Sequence, residues 1–101
     1  MHNHLLLRDQ DRQLLRDLLD TYLPGVKARA YGSRVTGKAH VASDLDLALM
    51  RTDTQPIDFT AMENFRQAVN DSNIPILVDA RDWARLPKSF HTEIEKSFVD
   101  L

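Results

Sequence analysis

The sequence predicts an α+β fold in which helices pack on a small mixed β-sheet. Three observations support this class. Apolar residues recur at helical spacing near the N-terminus, alternate with polar residues in the middle of the chain, and return to helical spacing near the C-terminus. Because the chain has 101 residues and no linker-like stretch, we expect residues 1–101 to form a single domain with a modest core.

The first half of the chain predicts one helix and two strands. A helix is expected over residues 9–23, because the leucines there fall on one stripe and a Pro-Gly pair follows them. A short strand is expected over residues 26–31. After a polar loop with room for one helical turn, a second strand is expected over residues 44–50, where three leucines alternate with two aspartates and an alanine.

A second amphipathic helix is expected from residue 58 or 60 to residue 70. Thr60 and Glu63 have the spacing of a capping box, which would start this helix. Its apolar face is expected to carry four residues: Phe59, Met62, Phe65 and Val69. A polar segment after residue 70 ends the pattern.

The last third of the chain predicts a strand and a helix. Residues 74–79 are apolar and rich in β-formers, so a third strand is expected there, with Asp79 at its end. Residues 88–99 predict a last helix that has Phe90, Ile94 and Phe98 on one side. The predicted order of elements is therefore α-β-β-α-β-α.

The most informative motif is Gly32-Ser33, followed after ten intervening residues by Asp44-Leu45-Asp46. A Gly-Ser turn presents backbone N–H groups and a hydroxyl, which suit a phosphate. The two aspartates share one face of a strand, where their negative charges repel unless a cation lies between them. Mg²⁺ binds such carboxylates together with substrate phosphates, so the motif indicates a site that handles nucleotides.

The predicted strands bring these groups to one edge of the sheet. The Gly-Ser pair follows the first strand and the aspartates open the second, so these two strands would run antiparallel. For Asp79 to reach the same site from the end of its strand, the third strand would have to run antiparallel to the second. Each signal alone has a simpler explanation, because a D-x-D pair is often only a solvated face and Asp82 competes with Asp79 for the third position.

Charge and composition exclude several classes of function. The net charge is −2, so the chain lacks the basic footprint of a nucleic-acid binder. It has no cysteine for disulfides or thiol chemistry, and its four histidines lack the spacing of zinc ligands. No apolar run approaches the ~20 residues that span a bilayer. We therefore expect a complete cytoplasmic protein with no direct nucleic-acid partner and no membrane partner.

These segments together resemble the minimal nucleotidyltransferases of the DNA polymerase β superfamily, which are often paired as antitoxins with a HEPN-domain toxin. Four segments carry the resemblance: residues 31–34, Gly37, residues 43–47 and residues 78–83. The resemblance implies that Asp44, Asp46 and Asp79 are the catalytic residues and bind metal, with two Mg²⁺ ions. The resemblance covers most of the chain.

The same resemblance implies a binding site for the phosphates of ATP. Gly32 and Ser33 would hold these phosphates, and Arg34 or Lys38 would add positive charge beside them. His40 lies in the same loop, where a contact with the substrate is conceivable. We assign Gly32, Ser33 and Arg34 to nucleotide binding at this stage.

By this resemblance, the chain would transfer AMP from ATP to a hydroxyl of a partner HEPN-domain toxin, a tyrosine near the toxin's active site, and so act as an antitoxin. Two alternatives remain open. The chain could neutralise a HEPN ribonuclease by contact alone, or it could modify a small molecule. Trp83, Leu86 and Phe90 form a candidate docking patch for the partner, although Trp83 and Phe90 could equally belong to the core.

Overall fold

A computed structural model describes residues 4–37 and 43–101. Its helices and strands are α1 (Asp9–Tyr22), β1 (Lys27–Tyr31), α2 (Ser33–Thr36), β2 (Leu45–Met50), α3 (Phe59–Asn70), β3 (Val78–Asp82), α4 (Lys88–Lys96) and β4 (Val99–Asp100). The strands of these two ranges form one four-stranded mixed sheet with helices packed on it, which confirms the predicted α+β class. Within the same ranges, none of the helices combines the length and the apolar character needed to cross a membrane.

The order of strands across the sheet is β3-β2-β1-β4. β1 and β2 run antiparallel as predicted, with Tyr31 opposite Asp46. The prediction for the third strand is wrong, because β3 runs parallel to β2 and places Asp79 opposite Asp46. The strand covers Val78–Asp82 rather than residues 74–79, so Asp79 lies near its beginning. Two parallel strands begin at the same edge, and Asp79 therefore reaches the predicted edge by a different route.

One face of the sheet packs against α1 and α3. Leu45, Leu47 and Leu49 of β2 are fully buried there, together with Leu15 of α1 and Phe65 of α3. Burial of one such leucine contributes about 1.5–3 kcal/mol to folding. Because side chains alternate along a strand, this leucine register directs Asp46 to the opposite face of the sheet.

The opposite face carries a smaller cluster of Ala48, Trp83 and Ile94, with Leu86 packed against it. Trp83 is only 9% exposed. It is therefore a core residue, as the alternative prediction had it, and the docking patch predicted around it is wrong. The small Ala48 leaves space on the sheet that the indole fills. Phe90 is different, because 41% of its surface is exposed.

The start of α3 also differs from the prediction. Asp58, rather than Thr60, caps the helix, and its carboxylate accepts a hydrogen bond from the Ala61 N–H at 3.0 Å. Phe59 is 73% exposed instead of lying on the buried face. Helical side chains lean towards the N-terminus, so a side chain at the first helical position extends beyond the layer that the helix packs on.

The C-terminal helix is shorter than predicted. α4 ends at Lys96, and Val99–Asp100 form the short strand β4, which pairs with β1 on the far edge of the sheet. A strand of two residues has no periodicity, so hydrophobic spacing could not reveal it. β4 completes the sheet on the side away from Asp79 and leaves β3 as the other edge strand.

Candidate active site

Gly32 joins β1 to α2 in a conformation that requires glycine. Its φ is +80° and its ψ is −154°, a region that residues with a Cβ essentially never occupy. A Cβ placed on Gly32 would lie 2.5 Å from Oδ2 of Asp46. The absence of a side chain at Gly32 therefore allows the Asp46 carboxylate to lie directly against the loop, which joins the two halves of the sequence motif in one place.

Ser33 is the first residue of α2, a helix of one turn that begins immediately after Gly32. The carbonyl of Gly32 accepts hydrogen bonds from the N–H groups of Val35 and Thr36 at 3.0 and 3.1 Å, which hold the turn closed. Ser33 is half-buried beside Gly32. The helical turn that the sequence allowed in this loop is thus present, and it holds Ser33 at the active-site edge.

Arg34 has a different role from the predicted one. It is only 6% exposed, and its Nε and Nη1 donate to the carbonyls of Ser43 and Leu6 at 2.8 and 2.7 Å. These bonds tie the loop after β1 to the residue before Asp44 and to the N-terminal segment. The assignment of Arg34 to nucleotide binding is therefore unsupported, because its guanidinium is committed to the backbone. The predictions for Lys38 and His40 fall outside the described residues.

The three predicted carboxylates lie at the same edge of the sheet. Asp46 and Asp79 are register partners on β2 and β3, and Asp44 lies exposed just before β2. Burial raises the pKa of Asp46, the negative charges of Asp79 and Asp44 raise it further, and Arg81 acts in the opposite direction. The ionised form of Asp46 is thus disfavoured by a shared negative field, which a bound cation would offset.

Arg81 offsets part of the negative charge around Asp46. Its Nη2 lies 3.2 Å from Oδ2 of Asp79, and its guanidinium also lies 5.8 Å from the ring centre of Phe90. Tyr31 is close to the same charges: burial raises the pKa of its phenol, and the charge of Asp46 adds to that shift. The pairing of Arg81 with Asp79 was not predicted from the sequence, although two residues of separation on a strand place both side chains on one face.

The donor set fits a hard divalent cation. Two half-buried carboxylates, Asp46 and Asp79, are register partners on neighbouring strands, and a third, Asp44, lies just before β2. Burial raises the pKa of Asp46, and the charges of the other two raise it further. Across residues 4–37 and 43–101, however, no three acidic, histidine or cysteine side chains converge on one point. Arg81 is paired with Asp79, so a bound cation would compete with Arg81 for this carboxylate.

Asp79 and Asp82 are distinguished by their contacts. The buried Asp82 accepts hydrogen bonds from the N–H groups of Ile57 and Ala84 at 2.8 and 3.1 Å, and it lies at the far end of β3. We expect Asp82→Asn to lower the free energy of unfolding by about 1–3 kcal/mol, because it weakens these bonds. Asp79→Asn should instead lower the rate of nucleotide transfer by at least about a hundredfold without loss of stability.

Urea unfolding of both variants, together with their transfer rates, checks this assignment. If Asp82→Asn folded normally and lost activity while Asp79→Asn stayed active, the third position of the site would belong to Asp82.

Residues 13–99 match the family described as Polymerase beta, Nucleotidyltransferase. The chain belongs to this nucleotidyltransferase family. The match spans Gly32, Ser33 and all three carboxylates, and it confirms the family and the enzyme class that the sequence motifs predicted.

A curated relative supports the same placement, and two solved structures share the fold. The probable protein adenylyltransferase MntA of Haemophilus influenzae is 34% identical over 93 residues, which cover 92% of this chain and 80% of that protein. A crystal structure of a toxin–antitoxin with AMP-PNP shares the fold, with a TM-score of 0.71 at 20% identity over 89% of this chain and 70% of that chain. A tyrosine-to-alanine mutant of the toxin–antitoxin MntA-HpeT also aligns with a TM-score of 0.71 at 20% identity, over 94% of this chain and 72% of that chain.

Ser33 offers a test of the nucleotidyltransferase site that leaves the fold intact. We expect Ser33→Ala to raise the ATP concentration needed for half-maximal rate by about tenfold, because the substitution removes one hydroxyl donor to a charged phosphate. Steady-state kinetics at varied ATP concentration measure this shift. Thr21→Val is the matched control, since the exposed hydroxyl of Thr21 donates to a carbonyl within α1, which packs on the other face of the sheet from Asp46. Equal kinetics for Ser33→Ala and the wild type would show that the hydroxyl does not touch the nucleotide.

Proposed function

We propose that this chain is a metal-dependent nucleotidyltransferase that moves AMP from ATP to a hydroxyl of a partner HEPN-domain toxin and thereby acts as its antitoxin. The observation that carries the proposal is the position of Asp46, which lies opposite Asp79 and directly against Gly32. Acidic ligands and a phosphate-binding turn thus share one edge of the sheet. The name of the relative from Haemophilus influenzae and the presence of AMP-PNP, an ATP analogue, in a structural neighbour support the proposal.

Mg²⁺ is the proposed cofactor, with Asp44, Asp46 and Asp79 as its ligands and two ions per site. When bound, the ions supply positive charge that stabilises the attacking and leaving oxygens of the displacement. The proposal is supported by the surroundings of Asp46, because burial raises the pKa of this carboxyl and the charges of Asp79 and Asp44 raise it further, which a bound cation would offset.

The remaining roles belong to residues of the chain itself. The N–H groups after Gly32 and the hydroxyl of Ser33 orient the phosphates of ATP. Asp79 orients the acceptor hydroxyl and accepts its proton as the new bond from oxygen to the α-phosphorus forms. The bond between the α-phosphorus and the bridging oxygen breaks, and pyrophosphate leaves with the electron pair. Arg81 keeps Asp79 charge-balanced before the substrates bind.

A protein acceptor fits the composition of the chain. The chain carries a net charge of −2 and so lacks the overall basic character that is typical of proteins that bind RNA or DNA, whose binding is dominated by phosphate contacts. A separate protein that carries its own hydroxyl needs no further acceptor domain from this chain. ATP as the donor is consistent with the cytoplasm as the proposed site of action.

The test is incubation of the purified chain with Mg²⁺, ATP labelled on the α-phosphate, and the HEPN-domain toxin proposed as its partner. We expect the label to appear on the HEPN-domain protein and to depend on added Mg²⁺. The other three labelled nucleoside triphosphates, tested in parallel, report the base preference. Label on a small hydroxyl compound, with none on the protein, would favour the small-molecule alternative.

A further inference from the structure

Arg81 lies on the same face of the sheet as the proposed metal ligands. Asp46 and Asp79 form one row across β2 and β3, and Ala48 and Arg81 form the next row, because both pairs are register partners. Residues two apart on a strand share a face, so Arg81 follows Asp79 on the face opposite the buried leucines. The two rows place a permanent positive charge beside a carboxylate that is proposed to bind metal.

The guanidinium of Arg81 contacts both oxygens of the Asp79 carboxylate. Nη2 lies 3.2 Å from Oδ2, and Nε lies 3.3 Å from Oδ2 and 3.4 Å from Oδ1. Carboxylate oxygens are also the atoms that a hard divalent cation binds. Because the guanidinium and a metal ion are both positive and use the same oxygens, the two compete for Asp79.

The surroundings of this ion pair allow Arg81 to leave Asp79. The side chains of Arg81 and Asp79 are 46% and 40% exposed, and ion pairs that are open to solvent contribute little to stability. Cζ of Arg81 also lies 5.8 Å from the centre of the Phe90 ring, within reach of a cation–π interaction. Phe90 therefore gives the guanidinium a second contact beside the site, one that does not depend on Asp79.

We propose that Arg81 is an internal counter-cation for Asp79, a positioning residue that holds this carboxylate before metal binds and gives it up to a divalent cation. This inference rests on the proposed function, in which Asp79 is a metal ligand, and it adds a control on the metal affinity of the same site. Arg81 lowers that affinity, because a cation has to displace the guanidinium and is repelled by its charge. In return, the pair offsets the like charges of Asp46 and Asp79 in the metal-free chain.

The test measures the affinity of the chain for Mn²⁺ without nucleotide, using the electron paramagnetic resonance signal of the free ion. The wild type is compared with Arg81→Gln and with the matched control Arg51→Gln. Arg51 is also exposed and pairs with an aspartate two residues away, Asp53, at 2.9 Å, but it follows the end of β2 that is remote from Asp46. The same Arg81→Gln change is then made in a chain that carries Asp79→Asn, which completes a double-mutant cycle.

We expect Arg81→Gln to lower the dissociation constant for Mn²⁺ by about fivefold, because it removes the competitor for Asp79, while Arg51→Gln should bind like the wild type. Most of this gain should disappear in the chain that carries Asp79→Asn, where the ion pair is already absent.

Equal Mn²⁺ affinity for Arg81→Gln and the wild type would overturn the inference. It would also be overturned if the full gain persisted with Asp79→Asn, because Arg81 would then act through its charge at a distance and not through Asp79. Transfer of AMP to the HEPN-domain toxin by the wild type, measured separately with Mg²⁺, tests the proposed function. A wild-type chain that transfers no AMP would overturn that function, whatever the Mn²⁺ affinities.

Discussion

Replacement of both Asp44 and Asp46 with asparagine is expected to lower the rate of nucleotide transfer by about a thousandfold or more. The substitution removes two of the three charged oxygen ligands proposed for the metal, while the shape of both side chains is retained. Neither residue belongs to the buried apolar core, so the variant should fold. Transfer of labelled AMP to the partner protein, measured with saturating Mg²⁺, gives the rate.

The same variant should be at least as stable as the wild type at neutral pH. The pKa of Asp46 is raised in the folded state, so folding favours the protonated carboxyl. The stability that this preference contributes is lost as the pH rises through the folded-state pKa. Asparagine removes the charge. The gain in melting temperature should therefore shrink as the pH falls through the raised pKa of Asp46, and it should be lost below 3.8, the ordinary pKa of this group. A variant that transfers AMP at the wild-type rate would contradict the proposed mechanism.

Gly32→Ala is expected to lower both stability and activity. The backbone conformation at Gly32 disfavours any side chain, which costs about 1–3 kcal/mol in the free energy of unfolding. The new Cβ would also meet Oδ2 of Asp46 at 2.5 Å and displace a proposed metal ligand. A displacement of about 1 Å in a reacting group can cost about a hundredfold in rate. Thermal unfolding and transfer kinetics measure the two effects.

Gly25→Ala is the matched control for this prediction. Gly25 also has a positive φ, of +82°, but nothing lies within 4 Å of a Cβ placed there. It should therefore lose some stability through backbone strain and keep its transfer rate. If Gly32→Ala and Gly25→Ala had the same activity, close approach between the loop and Asp46 would not matter for catalysis.

The local parts of the site could be predicted from the sequence because they depend on neighbouring residues. Gly32 and Ser33 follow a strand, and the aspartates of β2 alternate with leucines, so period-two geometry alone directs Asp46 away from the core. The prediction that Asp79 lies at this edge of the sheet is correct, but the strand direction from which it was derived is wrong. The apolar run before Asp79 suggested an earlier strand, and strand direction depends on hydrogen bonds to β2 that periodicity does not encode.

The contacts of Arg34 and Trp83 could not be predicted from the sequence, for a common physical reason. Whether an arginine in a loop meets solvent or backbone carbonyls depends on which distant segments pack beside it, here the N-terminal segment and Ser43. Trp83 is buried because it packs on the second face of the sheet, where the small side chain of Ala48 leaves room for the indole. Such long-range choices leave no local pattern in a single sequence.

We propose that chemical transfer of AMP to the partner, rather than contact alone, neutralises the toxin. The most direct measurement is the intact mass of the HEPN-domain protein after co-expression with the wild type or with the variant that carries Asp44→Asn and Asp46→Asn, with growth recorded in parallel. We expect that only the wild type adds the mass of AMP to the HEPN-domain protein and restores growth. Full restoration of growth by the variant, with an unmodified partner still bound to it, would show that contact alone neutralises the partner and that transfer of AMP is not needed.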